Sequence, residues 1–414
     1  MKTMPKPSSA LLTLAFALST AAPGTLVAAD LRVDQLELLS HGSLNSDTGN
    51  YEVASRLFFD MSLEGGDKFA GLLKLDFMNG NVEKALNLAN TKADSSSSSL
   101  GQDLTDRVNN LTGPELRTVA ITARSMFGLP LDFSYFVGEM DNFCSGDDFV
   151  ALFGTAPFAT ELRGPMVYPD GVGGNPRVWY DGIYAANGTG FRVATTPKLN
   201  ERSVGYLYFY QDSNIGPGTW SGDLRYLVNG SSAKAELFAG ATTGDVESVR
   251  GLYRCGMLFL ASSGDIGEFL AQMGVTRWDA TKPLSLDDLY FLFEPRIYIG
   301  NARAAITVFY HPTWYLQKDY SDLGEKGALD TAFDLRFGSV NGSGAQGGMQ
   351  TLFAFRPLST DTDVTPSLAV DASPYYALLS GGIRWDFKLD LRLFPFPDEW
   401  YGMFKPFIGL KTSY

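Results

Sequence analysis

Ile383-Arg384-Trp385-Asp386-Phe387-Lys388-Leu389-Asp390-Leu391-Arg392-Leu393 alternates without a break. Every odd position is large and apolar, and every even position is charged. A period of two puts the two sets on opposite faces of a strand, whereas a helix would scatter the charges all round. One face is oily along its whole length. The other carries charges of alternating sign. Such a strand packs its oily face on a protein core and shows its charges to bulk water, or it faces lipid and its charges line a wet lumen.

The same division recurs elsewhere. Tyr51 to Leu63 alternates over thirteen residues, with Tyr51, Val53, Leu57, Phe59, Met61 and Leu63 on one side. A globular strand averages about 5–6 residues, while a strand crossing a membrane needs about 9–11. Val249 to Ala261 repeats the pattern, with Arg250 and Arg254 on the charged parity and Cys255 on the oily one. These lengths favour lipid.

The N-terminus agrees. Lys2 and Lys6 precede a short apolar run from Ala10 to Leu18, and Val27-Ala28-Ala29 resembles a cleavage site. Residues 1–29 read as a secretory signal, leaving one domain over 30–414. After Ala29 no run of 18 apolar residues occurs, so a membrane role requires a barrel of strands. Without the leader the chain keeps 31 basic against 46 acidic residues, a net of −15. That balance, with no basic stripe, excludes nucleic acid as a partner. Cys144 and Cys255 could pair in an exported protein, but the oily parity of Cys255 points it away from any loop inside the barrel.

Further strands fit near 69–78, 115–125, 131–139, 177–186, 189–196, 203–212, 220–229, 232–241, 303–313, 330–338, 348–356, 376–394 and 404–414. Asn187-Gly188 and Asn229-Gly230 read as two-residue hairpin turns. Residues 79–113 and 140–176 are long connections, and Ser145 to Leu152 predicts one short helix in the second, with Ser145 and Asp148 marking its start.

Leader, absence of membrane helices, long amphipathic strands and a final strand alternating at Ile408, Leu410, Thr412 and terminal Tyr414 together resemble a bacterial outer-membrane β-barrel, and within that class a porin. Long and short connections alternate through the first six strands, as they do in such barrels. The resemblance implies an all-β transmembrane antiparallel barrel of about 16–18 strands, an outer-membrane location with lipid around it, small hydrophilic solutes as cargo, and a homotrimer. It also implies that the loop after the fifth strand folds into the lumen. Its acids Glu139, Asp141, Asp147 and Asp148 would then face basic wall residues, for which Arg250, Arg254, Arg384, Lys388 and Arg392 have the right parity. Net acidity suggests a mild cation preference. A barrel serving as an adhesin or structural element, or a secreted soluble β-protein, are the alternatives.

Catalytic signatures are missing. His41 and His311 sit in no Ser-His-Asp setting with a nucleophile elbow, no His-Glu-x-x-His occurs, and the Gly-rich stretches lack a phosphate-loop lysine. No enzyme activity, metal or cofactor is expected.

Overall fold

In lipid every backbone N–H and C=O must find a partner inside the protein, so strands can cross only as a closed sheet. The computed structural model describes residues 30–44, 51–79, 114–156, 158–161, 182–196, 199–213, 215, 218–244, 251–312, 314–315, 318–319, 328–339, 344–356 and 367–413. The leader, Arg250, the terminal Tyr414 and most of the 79–113 connection lie outside these residues.

The staves are β1 (Asp30–Leu44), β2 (Tyr51–Gly65), β3 (Phe69–Asn79), β4 (Pro114–Ala123), β5 (Leu131–Phe143), β6 (Tyr184–Thr195), β7 (Ser203–Asp212), β8 (Thr219–Asn229) and β9 (Ala233–Gly244). They continue with β10 (Leu252–Ser262), β11 (Gly267–Asp279), β12 (Leu289–Ile299) and β13 (Ala302–His311). Two short strands, β14 (Trp314–Tyr315) and β15 (Lys318–Asp319), form a separate ladder in a loop. The last staves are β16 (Ala328–Ser339), β17 (Ala345–Arg356), β18 (Ser367–Ser380), β19 (Ile383–Phe394) and β20 (Phe404–Ser413). Each stave pairs antiparallel with the next, and β1 pairs with β20 from Gln35↔Ser413 to His41↔Phe407, closing an 18-stranded sheet. One short helix, α1 (Asp147–Phe153), lies between β5 and β6. No helix among the described residues is long and apolar enough to cross a membrane.

The side chains follow the alternation of the opening stretch. On β19, Phe387 and Leu393 are exposed, whereas Asp386 and Lys388 are buried. Around the barrel the outward set is large, apolar and bare, with Leu224, Phe191, Leu237 and Ile408 about half exposed or more (62%, 57%, 52% and 48%). Soluble proteins rarely show so broad an apolar belt to water. Here it rings the outside of the closed sheet.

Connection length has two ends. The connections 66–68, 124–130, 196–202, 230–232, 263–266, 300–301, 340–344 and 381–382 are all short and all lie at one end. The long ones, including 80–113, 144–183, 312–327 and 357–366, are at the other. The sequence reading loses the alternation after residue 196, and in part rightly, since the long-loop side there carries connections as short as 213–218 and 245–251; 312–327 and 357–366, however, belong to that side and not to the short-turn end. Three local features hide which connections belong to which end. Asn187-Gly188 is not a turn but part of β6, facing Glu139 and Gly138 beside a bulge in β5. A Cβ on Gly188 would lie 1.9 Å from the Gln211 carbonyl oxygen, so glycine serves close strand approach there. Residues 376–394 are not one strand either: Gly381 and Gly382, both at positive φ (62° and 79°), turn β18 into β19. Finally, β11 lies in the stretch that shows no clear alternation. Asn229-Gly230 does mark a turn, with the Gly230 N–H donating to the Ala233 carbonyl at 2.9 Å.

Leu389 lies on the lipid side of β19. Leu389→Arg should destabilise the barrel in lipid vesicles by about 2–4 kcal/mol if it sits at the midplane; denaturant titration of refolded protein, followed by the gel shift of the folded form, checks this.

Candidate functional site

The connection 144–183 does not stay outside. Its described parts, 144–156, 158–161 and 182–183, run as a strap through the interior and bind the wall at two places. At the first, the Cys144 N–H donates to Glu236 on β9 at 2.6 Å, and Gln272 on β11 donates to the Cys144 carbonyl at 2.6 Å. Cys144 adopts a left-handed φ of 62°, which turns the chain inward. The helix begins next, capped by left-handed Gly146 rather than by Ser145, whose Oγ accepts the Asp147 N–H at 3.3 Å. Phe149 and Phe158 are buried beneath it and pack on one another, with ring centroids 5.3 Å apart.

At the second place, Thr160 Oγ1 donates to Glu294 on β12 at 2.6 Å, and the Glu161 N–H reaches the same carboxylate at 2.9 Å. Arg296 donates to the Ala159 carbonyl. The Glu161 side chain is held by Arg303 on β13 and Arg336 on β16, with Arg296 at 3.8 Å. Gln350 on β17 donates to the Glu161 carbonyl at 3.1 Å. Burial alone would raise the Glu161 carboxyl, but Arg336, Arg303 and Arg296 outweigh it and hold it below the usual carboxylate range. Tyr315, in the 312–327 connection, donates to the Gly182 carbonyl at 2.8 Å, so a second outer segment leans on the strap.

The acids expected at the constriction divide. Asp148 pairs with Arg225 on β8, which also holds Glu236 at 2.5 Å. Asp141 pairs with Arg192 on β6 at 2.8 Å and accepts the Tyr208 hydroxyl at 2.7 Å. Glu139 pairs with Arg117 on β4 at 2.9 Å. Asp141 and Glu139 belong to the wall strand β5 rather than to the loop, and Asp147 is exposed.

The basic partners divide too. Arg254 sits close to this region but pairs with Asp223 at 2.6 Å and covers the Tyr184 ring at 4.3 Å. On β19, Arg384 pairs with Asp386 at 2.9 Å, Lys388 with Asp390 at 2.9 Å, and Arg392 with Asp371 on β18. None of the three contacts the strap among the described residues. Arg250 lies outside those residues.

Glu161, Glu294, Arg296, Arg303 and Arg336 are the residues that sequence reading misses. Arg336 could have been flagged by parity, since it shares the charged positions of β16 with Asp330 and Asp334, whereas Arg303 is the one Arg, Lys, Asp or Glu side chain of β13. Nothing local marks Glu161, which acquires its partners only once the strap crosses the barrel. The cysteines do not pair: Cys144 is buried, Cys255 is exposed on the lipid side, and both are free. Burial pushes the Cys144 thiol well up, with Glu236 adding to it, which leaves that thiol unreactive.

No protein-family model matches the chain, and no curated protein matches its sequence. Solved structures do match its shape. Wzi of Escherichia coli, an outer membrane protein involved in group 1 capsule assembly and described as a carbohydrate-binding β-barrel, is 10% identical over 100% of this chain and 90% of its own, with a TM-score of 0.50. OccAB3 of Acinetobacter baumannii is 10% identical over 93% and 98% (TM-score 0.49). OccK2 (OpdF) of Pseudomonas aeruginosa, solved with glucuronate, is 11% identical over 94% and 98% (TM-score 0.49). At such identities the likeness is one of fold. The fold is that of a porin-like outer-membrane β-barrel.

Glu161→Gln should loosen the strap by roughly 1.5–3 kcal/mol by weakening its charge-assisted bonds. Hydrogen exchange of peptides covering 144–161 should then speed up by about tenfold or more. Because the carboxyl is held below its ordinary 4.5, the tether is fully present above that value and is lost as pH falls through the lowered one. In the unaltered protein, exchange of the strap should therefore stay slow at mildly acidic pH and rise only in stronger acid.

Proposed function

We propose that the protein is an outer-membrane channel for the passive diffusion of small hydrophilic solutes or ions, with the strap setting its width and no catalytic role. The observation that carries this reading is the strap itself. A segment tied to wall strands from β8 to β17 narrows a lumen without needing to be covalently fixed. Beside it, ion pairs of the opposite wall keep contact with water: Arg384, Arg392 and Lys411 are about one-third exposed although they point inward (31%, 37% and 39%). A lumen edged by charge conducts hydrated solutes. Lipid surrounds the barrel, and a homotrimer is an expectation from resemblance alone.

A second reading has its own support. The sector from β5 to β13 is filled by Tyr184, Tyr208, Tyr210, Tyr290, Tyr315 and their aromatic neighbours, all buried. A barrel so filled could hold a saccharide without conducting.

Single-channel recording in planar bilayers separates the two. Folded, detergent-purified protein should give stable conductance steps, and Glu161→Gln should add flicker or raise the step size. Folded protein that gives no steps, but is retained on a polysaccharide column, would favour the second reading.

A further inference from the structure

Two pairs of cations stand face to face across neighbouring strands. Arg303 on β13 is in register with Arg336 on β16, and Arg384 on β19 is in register with Lys411 on β20. Like charges directly opposite one another destabilise a sheet unless something answers them. At the first pair the answer is visible: the Glu161 carboxylate of the strap binds both guanidinium groups. At the second pair no single carboxylate among the described residues binds both cations. Arg384 is bound by Asp386 on its own strand at 2.9 Å, and Lys411 by Glu37 on β1 at 3.2 Å.

In both places the cations stand nearer the water than their acids do. Exposure is 31% for Arg384 against 7% for Asp386, and 39% for Lys411 against 16% for Glu37. Arg392 with Asp371 follows the same order, at 37% against 24%, further along β19. Arg303 and Arg336 also exceed Glu161, at 22% and 15% against 4%. Glu64, Asp148, Glu268 and Asp390 break the trend, each more exposed than its partner, and Glu161 marginally exceeds Arg296. Asp390 stands beside buried Lys388 on the β19 wall, between the cations of that strand, and does not reverse their lead.

An ion in the lumen responds to the nearest charge it meets through water. A buried acid behind a guanidinium turns each pair into a dipole with its positive end inward. Charges on the outer loops lie farther off and are screened beyond about 8 Å at physiological salt. The acidic balance of the whole chain therefore does not set the field of the lumen.

Resting on the channel reading above, we propose that the lumen prefers anions, which pass along the β18–β20 wall, and that Arg384 and Lys411 form a seat for a small anion near the short-turn end. Arg303 and Arg336, holding Glu161, are the built-in example of such a seat. This reverses the cation preference suggested by net charge.

The test is the reversal potential of the whole protein in planar bilayers under a potassium chloride gradient. The expected result is a reversal potential on the chloride side of zero. Arg384→Gln with Lys411→Gln should move it toward the potassium side, and Lys68→Gln, on the 66–68 turn, should not. If the double variant fails to fold, Arg384→Lys, which keeps the charge and should keep the potential, with Lys411→Gln alone, which should shift it, makes the same comparison. A conducting but cation-selective protein overturns this inference and leaves the channel reading intact, as does an unmoved potential in the folded variants. Folded protein without conductance overturns both.

Discussion

Closure of β1 onto β20 is the constraint on which everything else depends. Along Gln35 to His41 the first strand pairs with the last, so the sheet has no free edge. An open edge would leave unpaired backbone groups in hydrocarbon at several kcal/mol each. Closure also sorts every side chain by parity alone. Phe387 must meet lipid because Lys388 must not, and a register slip of one residue would exchange the two along the whole strand.

With the wall fixed, the interior becomes a place where ionisable groups can be held in opposed pairs. The strap exploits this. Its anchors are mostly backbone groups and two carboxylates, Asp148 and Glu161, aimed at side chains that wall strands hold rigidly: Arg225, Glu236, Gln272, Glu294, Arg303 and Arg336. A buried carboxylate shared among guanidinium groups is favourable only because partners surround it; removing one side leaves uncompensated charge. The strap and the wall therefore stabilise one another.

Much of the barrel was legible in the sequence. The period of two at Ile383–Leu393 and Tyr51–Leu63 identifies the faces, because lipid and water impose opposite demands on neighbouring residues. The short helix near Asp148 was legible as well. Turn chemistry was less reliable: Asn187-Gly188 has the composition of a hairpin, yet a bulge in β5 keeps β6 running through it. The site was only half legible. Parity identifies which charges point inward but not which strands face each other across the lumen. Lys388 therefore pairs with Asp390 on its own strand rather than with the loop, while Glu161, in no pattern at all, finds three arginines.

The division between lipid and lumen is measured most directly along β19. Spin labels placed singly at 384, 387, 389, 391 and 392, with Cys144 and Cys255 replaced by alanine, report on collision with oxygen in the bilayer and with a water-soluble nickel complex. Labels at 387, 389 and 391 should favour oxygen, and those at 384 and 392 should favour nickel, an alternation with the period of the strand. Equal access to the nickel complex at all five positions would contradict a wall with lipid on one side and a wet lumen on the other.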